Sequence, residues 1–366
     1  MKKKLVVAAS ALIVLSVLTG TLVWYYTGKP IYEPGKLSSG KDPQVTLAPP
    51  AQLGDPAKWT VEPGITLHHH AQGTGRRVLV IHGGPGLPIH RPLAGLEPLS
   101  ETYTFLYYHQ RGCGLSTRPV VGFQSSNFYA NMQVLERTLG LSAQIADIER
   151  IRRILGEEKL IILGHSFGAF LASLYAAEFP DRVAALLLVA PANLLVMPAE
   201  GGGLLGEIER LLPRETAQEY AEFLKAYLDF GGVFSRTETE LASLNARLGK
   251  YYRIAAKARG FMVPEDDDPY AQGGWMVEAM YFSMGKRHDY RRALRSVQAP
   301  VLVVHGENDI QPERASRTYS DAFPDSQFRT IAGAGHFPFL DQPVKFSKVT
   351  GEFLARIPAA NMHSIR

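Results

Sequence analysis

The sequence predicts an α/β chain with a mainly parallel sheet covered by helices on both faces and a helical insertion between two core strands. Three observations carry this. Short apolar runs alternate with helical stretches from Ile65 onward. One apolar run ends at a glycine-flanked serine that opens a helix. Between Pro191 and about Arg295 the strand signals stop and only helical patterns remain. Alternating strand and helix is the signature of a parallel sheet buried on both faces.

Arg77–Ile81, Tyr103–Tyr108, Lys159–Leu163, Ala184–Ala190, Pro300–Val304 and Gln327–Ile331 read as strands. Ser142–Leu155 reads as an amphipathic helix: Ile145, Ile148, Ile151, Ile154 and Leu155 share one side, with Asp147, Glu149, Arg150, Arg152 and Arg153 off it. In the insertion, helices are expected at 204–212, 216–230, 238–259 and 275–284. The expected organisation is a core of 65–190 and 296–366 with a cap of 191–295.

The N-terminus has its own pattern. Lys2, Lys3 and Lys4 precede an apolar run from Leu5 to Tyr26, ending in Trp24-Tyr25-Tyr26. About 22 helical residues reach roughly 33 Å, enough to cross a bilayer. The expectation is therefore an N-terminal transmembrane helix at 1–27, with a cleaved signal peptide as the competitor. Both place the body outside the cytoplasm, anchored or secreted. Segment 28–64 holds seven prolines and little apolar periodicity, and reads as a solvated tether.

Composition narrows the function classes. With 46% hydrophobic and 20% charged residues, the 366-residue chain is ordinary for a well-cored protein. Its net charge of +4 is mostly the N-terminal lysines, and no basic stripe with interleaved aromatics suggests nucleic acid. The single cysteine, Cys113, excludes an intramolecular disulfide and reads as a buried filler. His68-His69-His70 does not read as a metal site, because neighbours on a strand point to opposite faces. No cofactor and no metal are expected.

The chemistry centres on Gly164-His165-Ser166-Phe167-Gly168, directly after the strand at 159–163. A strand-to-helix turn at such a serine lifts the hydroxyl clear of the sheet, and flanking glycines let strand and helix pass. The base candidate is His336 in Gly333-Ala334-Gly335-His336-Phe337-Pro338, with His305 as rival. The orienting carboxylate candidate is Asp309, just beyond a strand, with Glu307 second. The chain order serine, acid, histidine distinguishes this arrangement from the chymotrypsin and subtilisin orders. Oxyanion donors are expected from the backbone N–H of Phe167 and of Gly84 in His82-Gly83-Gly84-Pro85-Gly86.

Together with Gln110-Arg111-Gly112-Cys113-Gly114-Leu115-Ser116, these motifs resemble the prolyl aminopeptidase (proline iminopeptidase) group of α/β hydrolases, over about Ile65 to Ala355. The resemblance implies an α/β-hydrolase fold, a helical cap, no metal and release of an N-terminal residue from short peptides. Two positions depart from it. His109 stands where the group carries an acidic residue before Gln-Arg-Gly, and His165-Ser166-Phe167 replaces its usual Gly-Ser-Trp. An aminopeptidase must also bind a protonated amine. Trp275, Glu278 and Phe282 fall on one face of a helix, and Glu278-Ala279-Met280-Tyr281-Phe282 resembles a cap stretch of the group that supplies such a glutamate. The alternative is a solvated glutamate beside core aromatics. The expected partner is thus a small peptide or other small molecule. An esterase or lactonase on the same machinery is the alternative activity, and a non-catalytic binding protein the remote one.

Overall fold

The computed structural model describes residues 28–40, 45–264 and 272–358. Its centre is an eight-stranded sheet made of β1 (Lys58–Glu62), β2 (Ile65–Gln72), β3 (Arg76–Ile81), β4 (Tyr103–Tyr108), β5 (Leu160–His165), β6 (Val183–Val189), β7 (Val301–Gly306) and β8 (Ser326–Ile331). The order is β1-β2-β4-β3-β5-β6-β7-β8. β1 and β2 form an antiparallel hairpin, β2 pairs antiparallel with β4, and the remaining pairs are parallel. β5 and β7 are buried along their whole length. That is why they read as unbroken apolar runs and not as alternating ones.

The parallel register levels one edge of the sheet. Ile81 pairs with Gly164, His165 with Val189, Val189 with Val304, and Ile331 with Gly306. The loops leaving β3, β5, β7 and β8 therefore open at the same carboxyl edge, where open α/β sheets place their ligands.

Helices α1 (Phe128–Leu139), α2 (Leu141–Ile154) and α3 (Phe167–Glu178) precede β6. Between β6 and β7 lie α4 (Gly203–Leu211), α5 (Arg214–Tyr227), α6 (Glu238–Ala258), α7 (Trp275–Met284) and the short α8 (Arg291–Leu294). A two-residue antiparallel pair, Val196–Met197 with His288–Asp289, ties the start of this insertion to its end. α9 (Glu313–Ala322), α10 (Pro338–Asp341) and α11 (Pro343–Leu354) complete the chain. α6 begins at a capping box: the Thr237 hydroxyl accepts from the Glu240 N–H, and the Glu240 carboxylate accepts from the Thr237 N–H.

Strand alternation divides the core. Leu79, Ile81, Leu106, Tyr108 and Ile162 pack on one side of the sheet with α2 and α3. Val78, Val80, Phe105, Tyr107, Ile161 and Leu163 pack on the other, with α10 and α11.

Three expectations are corrected. Segment 28–64 is not a solvated tether. Tyr32 is fully buried and its hydroxyl donates to Glu178 at 2.9 Å, while the N–H groups of Gly35 and Ser38 donate to the same carboxylate. β1 belongs to the sheet. Proline content restricts φ but leaves the chain free to dock where a buried carboxylate gathers its N–H groups.

The charged side of α2 is not solvated either. Asp147, Glu149, Arg150 and Arg152 are buried, because the N-terminal segment covers that side: Arg150 donates to the Thr46 carbonyl. The Arg111 guanidinium forks onto both oxygens of Asp147 at 2.5 Å, and Arg150 pairs with Asp147 and Glu62. Glu149 takes Arg152 and Arg153. Removing Asp147 leaves two buried guanidinium groups to share the half-buried Glu62. Asp147→Ala is therefore expected to lower the unfolding free energy by roughly 3–5 kcal/mol, read from urea denaturation. A loss below about 1 kcal/mol, the range of exposed pairs, would show the network to be solvated.

The third correction is the expected membrane-anchored or exported location. No helix among the described residues is long and apolar enough to cross a membrane. The expected helix at 1–27 lies outside the described residues, as does the acidic run 265–268.

Candidate active site

Ser166 stands between β5 and α3 with φ 54° and ψ −117°, one of two non-glycine residues with positive φ among those described. Two glycines make this turn feasible. A Cβ on Gly164 would lie 2.4 Å from the Gly168 carbonyl oxygen, and one on Gly168 would lie 2.1 Å from the Ile81 carbonyl oxygen. Strained backbone of this kind persists only where its surroundings over-determine it. Here the Ser166 N–H donates to the Val189 carbonyl, and its own carbonyl accepts from Ala192.

His336 and Asp309 meet as the motif order implies. The His336 Nδ1–H donates to Asp309 Oδ2 at 2.8 Å, and both side chains are buried. The other carboxylate oxygen of Asp309 accepts from the Gln311 N–H at 3.0 Å. The two loops are also joined through backbone, Asn308 N–H to Ala334 carbonyl at 2.7 Å. Gly335 has no room for a side chain: its Cβ would strike the Phe261 ring. The rival His305 is a core residue whose Nδ1 bonds Ser316 Oγ. Glu307 accepts from the Gly333 N–H, and Asp309 is the carboxylate on His336.

His165 has a role that sequence reasoning missed. Its Nε2–H donates to the His336 carbonyl at 2.8 Å, tying the serine turn to the histidine loop. Burial, then the neighbouring His336, lowers its pKa to about 3, so it stays neutral and its tautomer is set by that bond.

The glycine loop after β3 crosses beside the serine. A Cβ on Gly83 would lie 2.9 Å from Ser166 Cβ, and Gly84 has φ 112°, a conformation that needs glycine. His82 holds this loop to the Gln-Arg-Gly segment. Its Nδ1–H donates to the Gly83 carbonyl, its Nε2 accepts the Gln110 N–H, and the Gln110 side chain donates to the His82 carbonyl. Burial lowers His82 to about 4. Phe167 is the first residue of α3, so its N–H lies among the helix-start donors without an intrahelical acceptor. Cys113 is buried beside His82 and pushed up to about 12 by burial, consistent with a filler and not a nucleophile.

The insertion reaches this site from above. The Arg259 guanidinium donates to the carbonyls of Asn308 and Asp309, and the Tyr252 ring lies 6.0 Å from His336. Neither residue carries a sequence signal beyond helix periodicity. The start of α7 is held on the glycine loop by Gly273 N–H to Gly86 carbonyl, and Glu238 accepts from the N–H groups of Gly274 and Trp275.

Trp275 and Phe282, two of the three candidate amine-binding residues, lie in an aromatic cluster. Both stack on Phe234, and Phe123 and Phe128 add edge contacts. Glu278 is 4% exposed, and one carboxylate oxygen has no hydrogen-bond partner among the described residues. Burial raises its pKa to about 7, only partly offset by Arg236, whose ion pair is with Asp229. Tyr227 and Tyr281, hydrogen-bonded to each other, are the polar neighbours that feel its charge.

At 68–70, where no metal site is expected, the three histidines divide between the two faces of the sheet. His69 turns to the Trp59 face, but His68 and His70 share the opposite face with His109, their ligand nitrogens within 4.8 Å of one another.

Comparison with known proteins identifies the fold. Residues 76–343, more than half of the chain, match the family described as the alpha/beta hydrolase fold. A proline iminopeptidase of Heyndrickxia coagulans is 25% identical over 299 residues, covering 78% of this chain and 92% of that protein. Among solved structures, a Mycobacterium smegmatis proline iminopeptidase superposes with a TM-score of 0.53 at 20% identity, covering 80% of this chain and 95% of that one. A thermophilic esterase of Thermogutta terrifontis scores 0.52 at 22% identity, covering 81% and 95%. Structures this similar with different activities show the fold and leave the substrate to the site. With its serine turn, level sheet edge and matched domain, the chain belongs to the α/β-hydrolase fold family, and its resemblance to the proline iminopeptidases extends over most of its length.

Proposed function

We propose that this chain is a serine aminopeptidase that releases a small N-terminal residue, proline or a similar one, from short peptides. Ser166 Oγ attacks the scissile carbonyl while His336 Nε2 takes its proton and returns it to the leaving amine. Asp309 holds the imidazole through Nδ1–H, and the N–H groups of Gly84 and Phe167 receive the oxyanion. Water, activated by the same histidine, then hydrolyses the acyl-enzyme. In this reading 191–295 is a cap over the core of 65–190 and 296–366, and it brings the amine-binding group.

The observation that carries the substrate class is Glu278. A buried carboxylate with an unpaired oxygen and no ion pair among the described residues is costly, and a substrate ammonium is the cation that would compensate it. Resemblance to the proline iminopeptidases supports the same class. The second reading, an esterase acting on a neutral ester, is favoured by Gly-His-Ser-x-Gly and by the stacking of Trp275 and Phe282 on Phe234.

One comparison separates the two: a proline arylamide with a free amine, its N-acetylated twin and a short-chain aryl ester. The free-amine substrate is expected to be preferred. Glu278→Gln is expected to lower its kcat/KM by roughly 10²–10³-fold, the loss on breaking a buried charge pair, and to leave the ester rate near wild type. Turnover of the ester alone would discard the aminopeptidase reading.

Glu278 also has a pH signature. Its folded pKa of about 7 lies above the ordinary 4.5, so the folded state binds this proton more tightly than the unfolded one. Stability from this group is full below about pH 4.5 and lost as pH rises through 7. Glu278→Gln is expected to gain on the order of 3 kcal/mol relative to wild type at pH 8 and nothing at pH 4, read from paired denaturation curves. Equal differences at both pH values would mean that the carboxylate is solvated.

A further inference from the structure

Alternation along two paired strands assembles a histidine cluster that the hydrolytic machinery does not use. His68 and His70 lie two apart on β2. Tyr107 and His109 lie two apart across the end of β4. His70 pairs with Tyr107 in the antiparallel register and stacks on its ring at 4.9 Å, and the His109 N–H donates to the His68 carbonyl. All four side chains therefore face the same side of the sheet. The rings of His68 and His109 are 4.8 Å apart, and His90, from the loop after β3, lies 4.9 Å from His109. His69 serves as an internal contrast, stacked on Trp59 across the sheet at 3.9 Å.

Two of these imidazoles present buried nitrogens with nothing to bond. His70 Nε2 and His109 Nε2 have no hydrogen-bond partner among the described residues. Buried polar atoms of this kind call for a ligand or a water. The ligand nitrogens of His68, His70 and His109 lie within 4.8 Å of one another, with no carboxylate in the group. Imidazole donors without carboxylates suit zinc, copper and nickel and not magnesium or calcium.

We propose that His68, His70 and His109 bind one divalent transition-metal ion of the Zn²⁺ type, with water at the open position. Zn–N bonds of about 2.0–2.1 Å draw the nitrogens together, and side-chain rotation of half-buried His68 and His70 supplies that closure. The Leu115 N–H donates to His109 Nδ1 at 3.1 Å, so the ring must turn off that donor to offer Nε2. Binding through Nε2 moves the ring proton to Nδ1 and exchanges that contact for the metal bond, so the residue stays neutral. Gly114, whose Cβ would lie 2.3 Å from His109 Nδ1, keeps a side chain off this edge of the ring.

The site is a brace and not a reaction centre. Gln110, next to His109, holds both His82 Nε2 and the His82 carbonyl, and His82 leads into Gly83-Gly84. An ion pinning β2 to the end of β4 thereby stiffens the loop beside Ser166.

The test uses the full-length protein stripped of metal, titrated with Zn²⁺ by calorimetry and with Co²⁺ by visible absorption. The expected result is one Zn²⁺ per chain, a raised Tm and the intense absorption of tetrahedral cobalt. Affinity is expected to fall by roughly tenfold or more in each of His68→Gln, His70→Gln and His109→Gln, and to stay unchanged in His69→Gln. Zn²⁺ affinity that survives His68→Gln and His70→Gln would overturn the assignment. So would a weak, water-like cobalt spectrum in the wild type, a result that depends on no variant folding.

Discussion

Ser166→Ala is expected to lower kcat by roughly 10⁶-fold on any substrate the protein turns over, with KM little changed. Ser166 is the residue whose backbone sits at φ 54° where β5 becomes α3, and the only nucleophile candidate beside the glycine loop among the described residues, since Cys113 is buried and pushed up to about 12. Alanine keeps the fold because Gly164 and Gly168, not the hydroxyl, make room for the turn. Steady-state kinetics on the arylamide and the ester, together with an unchanged melting curve, provide the check. Residual activity within about a hundredfold of wild type would move the nucleophile elsewhere and remove the acyl-enzyme mechanism.

Asp309→Asn is expected to cost roughly 10⁴-fold in kcat, and here the structure says why. Both oxygens of Asp309 already receive N–H donors, one from the Gln311 backbone and one from His336 Nδ1. Asparagine offers only one oxygen. The backbone donor is fixed, so that oxygen stays on Gln311 and the amide NH₂ turns toward His336. His336 must then accept through Nδ1 and carry its proton on Nε2, where it cannot take one from Ser166. The loss should appear in kcat with KM preserved. Activity near wild type in Asp309→Asn would mean that another acid, Glu307 first, orients the base.

Much of the site was legible locally. Ser166, Asp309 and His336 each sit in a short glycine-bearing motif next to an apolar run, and the runs at 159–163 and 300–304 lie within β5 and β7 to within a residue. β1 was not legible, because Lys58–Glu62 follows a proline-rich stretch that reads as linker. The charged side of α2 was misread for a different cause: helix periodicity reports which side is polar, but not that Arg111 and the segment at Thr46 close over it. Trp275 and Phe282 share a helix face with Glu278 as expected, yet Phe234 claims both rings.

The histidines show the division most clearly. That His68 and His70 share a face follows from the two-residue period of a strand. That His109 joins them depends on β2 pairing with β4 in one register. What the sequence by itself determined is six of the eight sheet strands, the strained serine turn and the order of the reacting groups, because sterics and periodicity act over a few residues. Only the tertiary structure decided which buried charges find partners, that Glu278 keeps a carboxylate oxygen unpaired among the described residues and that three imidazoles meet. Those outcomes depend on groups far apart in the chain, whose distances are set by sheet order and packing.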